Sequence, residues 1–217
     1  MSERQRKVQA DSVGAGRVPT GPERAAVRVF AANERMNQML LQRLEPRAWK
    51  AKTPGGARTI AAIFTHMHNV RTKWVRLTAR SLRVPKQLDR SRCTIKQARS
   101  GLAESAAHCE EMLAEALGNA GRVKKFVRDG WARPWPVGVE MLCYMIAHEA
   151  HHRGQVLLLA RLVGYPLPKE VGYGMWNWEK IWRECGASGT GKKDNSRKTE
   201  EVALRSLRLQ IARRKQN

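Results

Sequence analysis

Acidic residues are scarce in this 217-residue chain, where 19 Asp and Glu stand against 41 Lys and Arg and the formal charge is +22. Such a field attracts nucleic acid, anionic lipid or acidic metabolites, although a solvated basic face with no partner gives the same count. Ordered cysteine is missing too. Cys93, Cys109, Cys143 and Cys185 show no CxxC spacing, which excludes a paired-cysteine finger and argues for reduced, partly buried thiols over a disulfide framework. Residues 1–20 hold no apolar stretch, so no signal peptide is expected. No apolar run is long enough to span a bilayer. A soluble, cytoplasmic protein without a membrane contact is the expectation. Alternating apolar and polar residues are absent, which argues against strands.

What remains reads as helices between two polar tails. Residues 1–20 are polar, glycine-containing and aperiodic, and are expected to form a disordered arm. A first helix starts near Gly21-Pro22 and runs to about Leu44. Phe30, Asn33, Asn37, Leu40 and Leu44 share one face, so two asparagines lie on an otherwise apolar seam. "TPGGA" breaks the chain before a second helix, about Arg58 to Ser81. A third spans Ile95 to Leu117, with Leu102, Ala106, Cys109, Leu113 and Leu117 inward, and a fourth spans Val139 to Leu162. Four amphipathic helices of this length predict an all-α bundle over residues 21–187. Trp176, Trp178 and Trp182 follow, and packing across one end of the bundle is their expected role. Residues 188–217 turn Gly-, Ser- and Lys-rich and read as a basic tail able to contact polyanions. Ten Lys or Arg between Arg71 and Arg99 face Asp89 alone.

The chemistry is concentrated in "AHEAHHRGQ", residues 147–155, which holds three of the six histidines. On a helical wheel, Met141, Leu142, Met145, Val156, Leu159 and Val163 set the inward face of the fourth helix. His152 falls within about 20° of its centre, His148 within about 60°, and His151 about 120° away. His148 and His152 are one turn apart and can close on one ion. A third ligand must come from elsewhere. The second helix carries His66, about 80° from its inward centre, and His68, about 120° away on the other side. His66 is the better candidate; His108 is a lone histidine, more often a surface or satisfied core residue than a ligand. Burying two imidazoles without partners is unfavourable, and a metal removes that cost. Glu149 also points inward, where it would orient an imidazole, accept a proton as a catalytic group, or pair with Arg153.

Two rival motifs are weaker. "HEAHH" matches the H-E-x-x-H pattern of zinc proteases, with Glu149 as base, but those helices lie beside a substrate-aligning sheet that this chain lacks. "GASGTGKK" at 186–193 imitates a phosphate loop, yet Lys193 replaces the required Ser or Thr and no strand precedes it.

In combination, "AANERMNQMLLQRL", "TIAAIFTHMHNVRTKW", "AHEAHHRGQVLLLARLVGYPLP" and "YGMWNW" resemble the DinB-like superfamily, which includes YfiT-like proteins and thiol-dependent S-transferases. The resemblance covers about Arg24 to Trp182. It implies an up-up-down-down four-helix bundle, often a homodimer, with a divalent metal, zinc or nickel, held by His66, His148 and His152. It also implies that the metal binds a low-molecular-weight thiol and generates its thiolate for isomerisation or for transfer to an electrophilic substrate. His68 and His151 are extra to that ligand pattern. Asn33 and Asn37 are pocket candidates. The competing expectation is a non-catalytic, basic, metal-stabilised protein that binds nucleic acid or a protein partner.

Overall fold

The computed structural model describes residues 21–118, 125–127, 135–136 and 138–185. The expected arm at 1–20 and basic tail at 188–217 lie outside the described residues. Four long helices dominate: α1 (Pro22–Arg43), α2 (Ile60–Thr78), α3 (Ile95–Leu117) and α4 (Val139–Leu162). Two short ones follow, α5 (Lys169–Trp176) and α6 (Trp178–Glu184). The expectation of no strands needs a small correction. Lys125–Phe126 pairs antiparallel with Trp135–Pro136 in the connection between α3 and α4, a two-residue ladder too short to leave an alternating pattern in the sequence.

Local signals set the helix starts. Pro22 opens α1, where its missing N–H costs nothing. The Thr59 hydroxyl caps α2 by accepting from the Ala62 amide at 3.1 Å. Thr94 and Gln97 form a reciprocal capping box at the start of α3.

Both α1 and α2 pack against α3 and against α4. The apolar residues divide into two cores. One gathers Leu40 and Leu44 from the end of α1, Ile60 and Phe64 from the start of α2, Leu102 from α3, and Val156 and Ala160 from the end of α4. The other gathers Phe30 from the start of α1, Trp74 from the end of α2, Cys109 and Leu113 from late α3, and Met141 and Met145 from the start of α4. The chain therefore runs up in α1, down in α2, down in α3 and up in α4, not up-up-down-down.

The connections explain that order. A parallel α2–α3 pair requires the chain to return the full length of α2 between them. Residues 79–94, at about 3.3 Å each when extended, are long enough to pass back along 19 helical residues rising about 1.5 Å each. Side chains pin this crossover. Asn69 donates to the Leu88 carbonyl at 2.9 Å and accepts the Leu88 amide at 2.8 Å. Trp49 donates to the Cys93 carbonyl at 2.8 Å.

Between the two cores lies a polar belt at mid-length on every long helix. Asn33, Glu34 and Asn37 come from α1, His68, Arg71 and Thr72 from α2, Ser105 from α3, and Glu149, His152 and Arg153 from α4, all buried. Of the three tryptophans expected to pack, Trp182 does so, against Ala32, Met36 and Ile181, while Trp176 is 76% exposed and Trp178 is 39% exposed. The α5–α6 segment is instead anchored through Val171 and Ile181, which are buried.

Candidate metal centre

Helix α4 turns once between His148 and His152, and α2, running antiparallel beside it, presents His66 at the same level. One nitrogen from each of the three imidazoles lies within 4.8 Å of the other two. His66 Nε2 and His148 Nε2 are 3.3 Å apart. The His152 ring stands edge-on to both, with centroids 4.9 Å from His66 and 4.6 Å from His148. His152 is buried, and His66 and His148 are half-buried.

This geometry passes a simple fit test. Four-coordinate zinc with nitrogens at about 2.0–2.1 Å sets neighbouring ligand atoms roughly 3.3–3.4 Å apart. The His66–His148 separation matches that spacing, and all three ligand atoms lie within 4.8 Å of one another. Three protein donors also leave a coordination position for another molecule.

Electrostatics favour the neutral rings a metal requires. Burial pushes His66 down to about 3, helped by His152, His148, Arg58 and Arg90. His152 is lowered too, first by burial; its bond to Gln155 opposes the shift, while His151 and Arg58 add to it. His152 Nδ1 lies 2.7 Å from Gln155 Oε1, a carbonyl that can only accept. The Nδ1 proton is thereby fixed and Nε2 is left as the ligating atom. Trp74 and Tyr144 wall His148, with ring centroids 5.5 and 6.2 Å away.

The other candidates separate cleanly. His151 is exposed. His108 Nδ1 lies 2.9 Å from the Glu104 carbonyl, one turn back on its own helix. His68, two residues from His66, is fully buried. Its Nδ1 lies 2.8 Å from the Gly101 carbonyl and its Nε2 2.9 Å from the Lys86 carbonyl. It ties α2 to α3 on one side and to the crossover on the other. A ligand role for it would break both contacts.

Glu149 does not pair directly with Arg153. It is fully buried and receives Arg71 in a fork, Nε to Oε1 at 2.6 Å and Nη2 to Oε2 at 2.6 Å. Asn33 and Asn37 donate to the same Oε2 at 2.6 and 2.7 Å, and turn their amide oxygens to Arg153 Nη1 at 2.6 and 3.0 Å. The asparagines thus relay charge between Glu149 and Arg153. Glu34 accepts from Arg71 Nη1 at 2.7 Å, and the guanidinium lies over the Phe30 ring at 5.2 Å. Burial alone would raise the Glu149 carboxyl, but Arg71 and its hydrogen bonds hold it below the usual range.

Arg71 and Gln155 are the residues that sequence reasoning missed. Arg71 had counted as one charge in a basic stretch. Its position three residues before Trp74 on the inward face of α2 was the available signal. Gln155, at a spacing of three from His152, was legible in principle as a hydrogen-bond partner.

No curated protein and no solved structure matches the chain. Residues 20–184 match the DinB family, and on that match, which spans all four long helices, the chain belongs to the DinB family.

Proposed function

We propose that His66, His148 and His152 hold a divalent metal ion, zinc or nickel, and that the centre serves a thiol-dependent transfer reaction. The observation that carries the metal reading is the convergence of three imidazole nitrogens from two helices within 4.8 Å. A divalent ion there would supply Lewis-acid charge that favours the thiolate of a low-molecular-weight thiol over the thiol at neutral pH. The chain's own residues do the rest. His66 and His152 stay unprotonated, Gln155 holds one imidazole tautomer, and Trp74 and Tyr144 limit water around His148. Arg58 and Arg90 bring positive potential to His66, which suits an incoming anionic sulfur or carboxylate. An electrophilic substrate would accept the sulfur. Family membership supports this reading without naming the thiol or the electrophile.

The test begins with metal analysis of the purified protein, followed by substitution with cobalt. Titration with low-molecular-weight thiols should change the cobalt spectrum as sulfur enters the coordination sphere. His152→Ala should abolish that change and His151→Ala should keep it. A cobalt spectrum untouched by every biological thiol would remove the transferase reading and leave a structural metal.

A further inference from the structure

The flank of α4 that faces α1 carries a second concavity. It has a volume of about 390 Å³ and is walled by Met36, Ile146, Leu157, Met175, Trp176 and Trp178. Arg153 lines it as well, and is 91% buried, since 9% of it is exposed. A guanidinium this desolvated ordinarily meets a carboxylate. Here, among the described residues, Arg153 reaches only the amide oxygens of Asn33 and Asn37, both through Nη1. Glu149, the carboxylate whose charge acts most strongly on Arg153, is already met by Arg71 and the two asparagine amides. Nε and Nη2, the other edge of the guanidinium, have no partner among the described residues.

We propose that this groove is a binding site for a small amphipathic carboxylate: an apolar, preferably aromatic, body lying against the tryptophans, with its anionic end on the free edge of Arg153. Three features select this occupant. The volume lies in the range of small-ligand pockets, roughly 300–1,000 Å³. The wall is apolar and aromatic, so a phosphate chain would find one cation and little else. A second copy of this chain, at +22, would bring net positive charge toward a cation that touches no carboxylate among the described residues. Gly154 keeps the floor open: a Cβ built there meets nothing within 4 Å. The site stands apart from the histidines, on a different flank of α4, and does not depend on a metal.

Calorimetry on the full chain, with phenylbutyrate and its neutral analogue phenylbutanol, tests the assignment. Phenylbutyrate should bind one to one, at least about tenfold tighter than the alcohol, because a charge-assisted fork is available only to the carboxylate. Arg153→Met should bring the two ligands to within about twofold of each other. Since Arg153→Met also disturbs the asparagines, Gly154→Leu provides the independent arm. It replaces a helical glycine facing open space, so melting should hold or rise, while both ligands should lose measurable binding. Equal affinity for acid and alcohol in the wild type, or no binding of either, would overturn the proposal. So would unchanged binding in Gly154→Leu. Light scattering closes the remaining route: a wild-type dimer split into monomers by Gly154→Leu would show that a second copy occupies the groove.

Discussion

Two polar clusters share the middle of this bundle, and consecutive positions of α4 alternate between them. Glu149 lies between His148 and His152 in sequence, yet it belongs to a hydrogen-bonded knot with Arg71, Asn33 and Asn37, which Arg153 joins through one edge only, while the two histidines turn to His66. In the knot, the carboxylate meets only donors: one guanidinium fork and two amides. In the histidine cluster, three groups of the same kind converge and none neutralises another. The knot draws on α1, α2 and α4 and is buried, and the histidine cluster draws on α2 and α4 and is partly buried. The difference is that the Glu149 carboxylate is met by protein donors alone, whereas the three imidazoles are like groups able to hold a cation. The chemistry of the partners, more than the degree of burial, sets the two apart.

That contrast makes the knot the more damaging place to cut. Arg71→Met leaves the Glu149 carboxylate fully buried without its main counter-ion, and we expect a loss of about 3–5 kcal/mol of folding stability. Removing the charge as well, in Arg71→Met/Glu149→Leu, should recover part of it, because a buried pair is worth little against apolar side chains of similar size. Denaturant midpoints of the two variants check this. A single variant as stable as the wild type would mean that Glu149 takes a proton or finds water, and that the knot is less closed than its distances indicate.

Next in size are cuts to the histidine cluster, which should register in metal affinity more than in fold. His152→Ala removes one of three donors and should lower zinc affinity by well over 100-fold, with helical circular dichroism retained because Val156, Leu159 and Met145 still pack. His151→Ala, at an exposed position, should change affinity by less than about twofold. Gln155→Leu keeps all three ligands but frees the His152 tautomer, and about 10–100-fold is the expected cost. Competition with a chromophoric chelator measures all three. Equal losses in His151→Ala and His152→Ala would show that the metal, if bound, sits outside this cluster.

The same contrast explains what could be read from the chain beforehand. Helix boundaries were legible because Pro22, Thr59 and Thr94 are capping signals and the apolar residues repeat at three and four. His148 and His152 were legible because a spacing of four places two groups on one face. His68 was not. A wheel drawn for a single inward direction put it about 120° off the core, but α2 packs against both α3 and α4 and has the crossover alongside, so it has more than one buried direction. Arg71 was obscured for a related reason, since a charge count treats every arginine as solvated. The helix directions were not legible either. They depend on residues 79–94 being pinned back along α2 by Asn69, a tertiary contact with no local signature. Likewise, three tryptophans in seven residues suggest a buried lid, and nothing local shows that Val171 and Ile181 supply the anchor while Trp176 faces solvent.

The smallest expected effect is a pH dependence that separates the clusters without any mutation. In the metal-free protein, His66 is held down to about 3 from an ordinary value of 6.5, and His152 is lowered as well. Below 6.5 the unfolded chain takes up protons at these positions while the folded chain does not, so the unfolded state binds more protons and stability falls as the pH is lowered. The stability tied to neutral imidazoles is fully present above about pH 6.5 and is lost progressively toward pH 3. Glu149 is lowered too, but an acid with a depressed value loses its contribution only below the ordinary carboxylate range, about 4.5, so its effect begins where the histidine effect is well advanced. Thermal melts of metal-free protein between pH 7.5 and 5.0 should therefore show a decline that belongs to the histidines. His66→Phe should flatten it, and saturating zinc should move its onset to lower pH, because the ion competes with protons for the same nitrogens. If the decline in His66→Phe matches the wild type, protonation of His66 is not what destabilises the fold in this range.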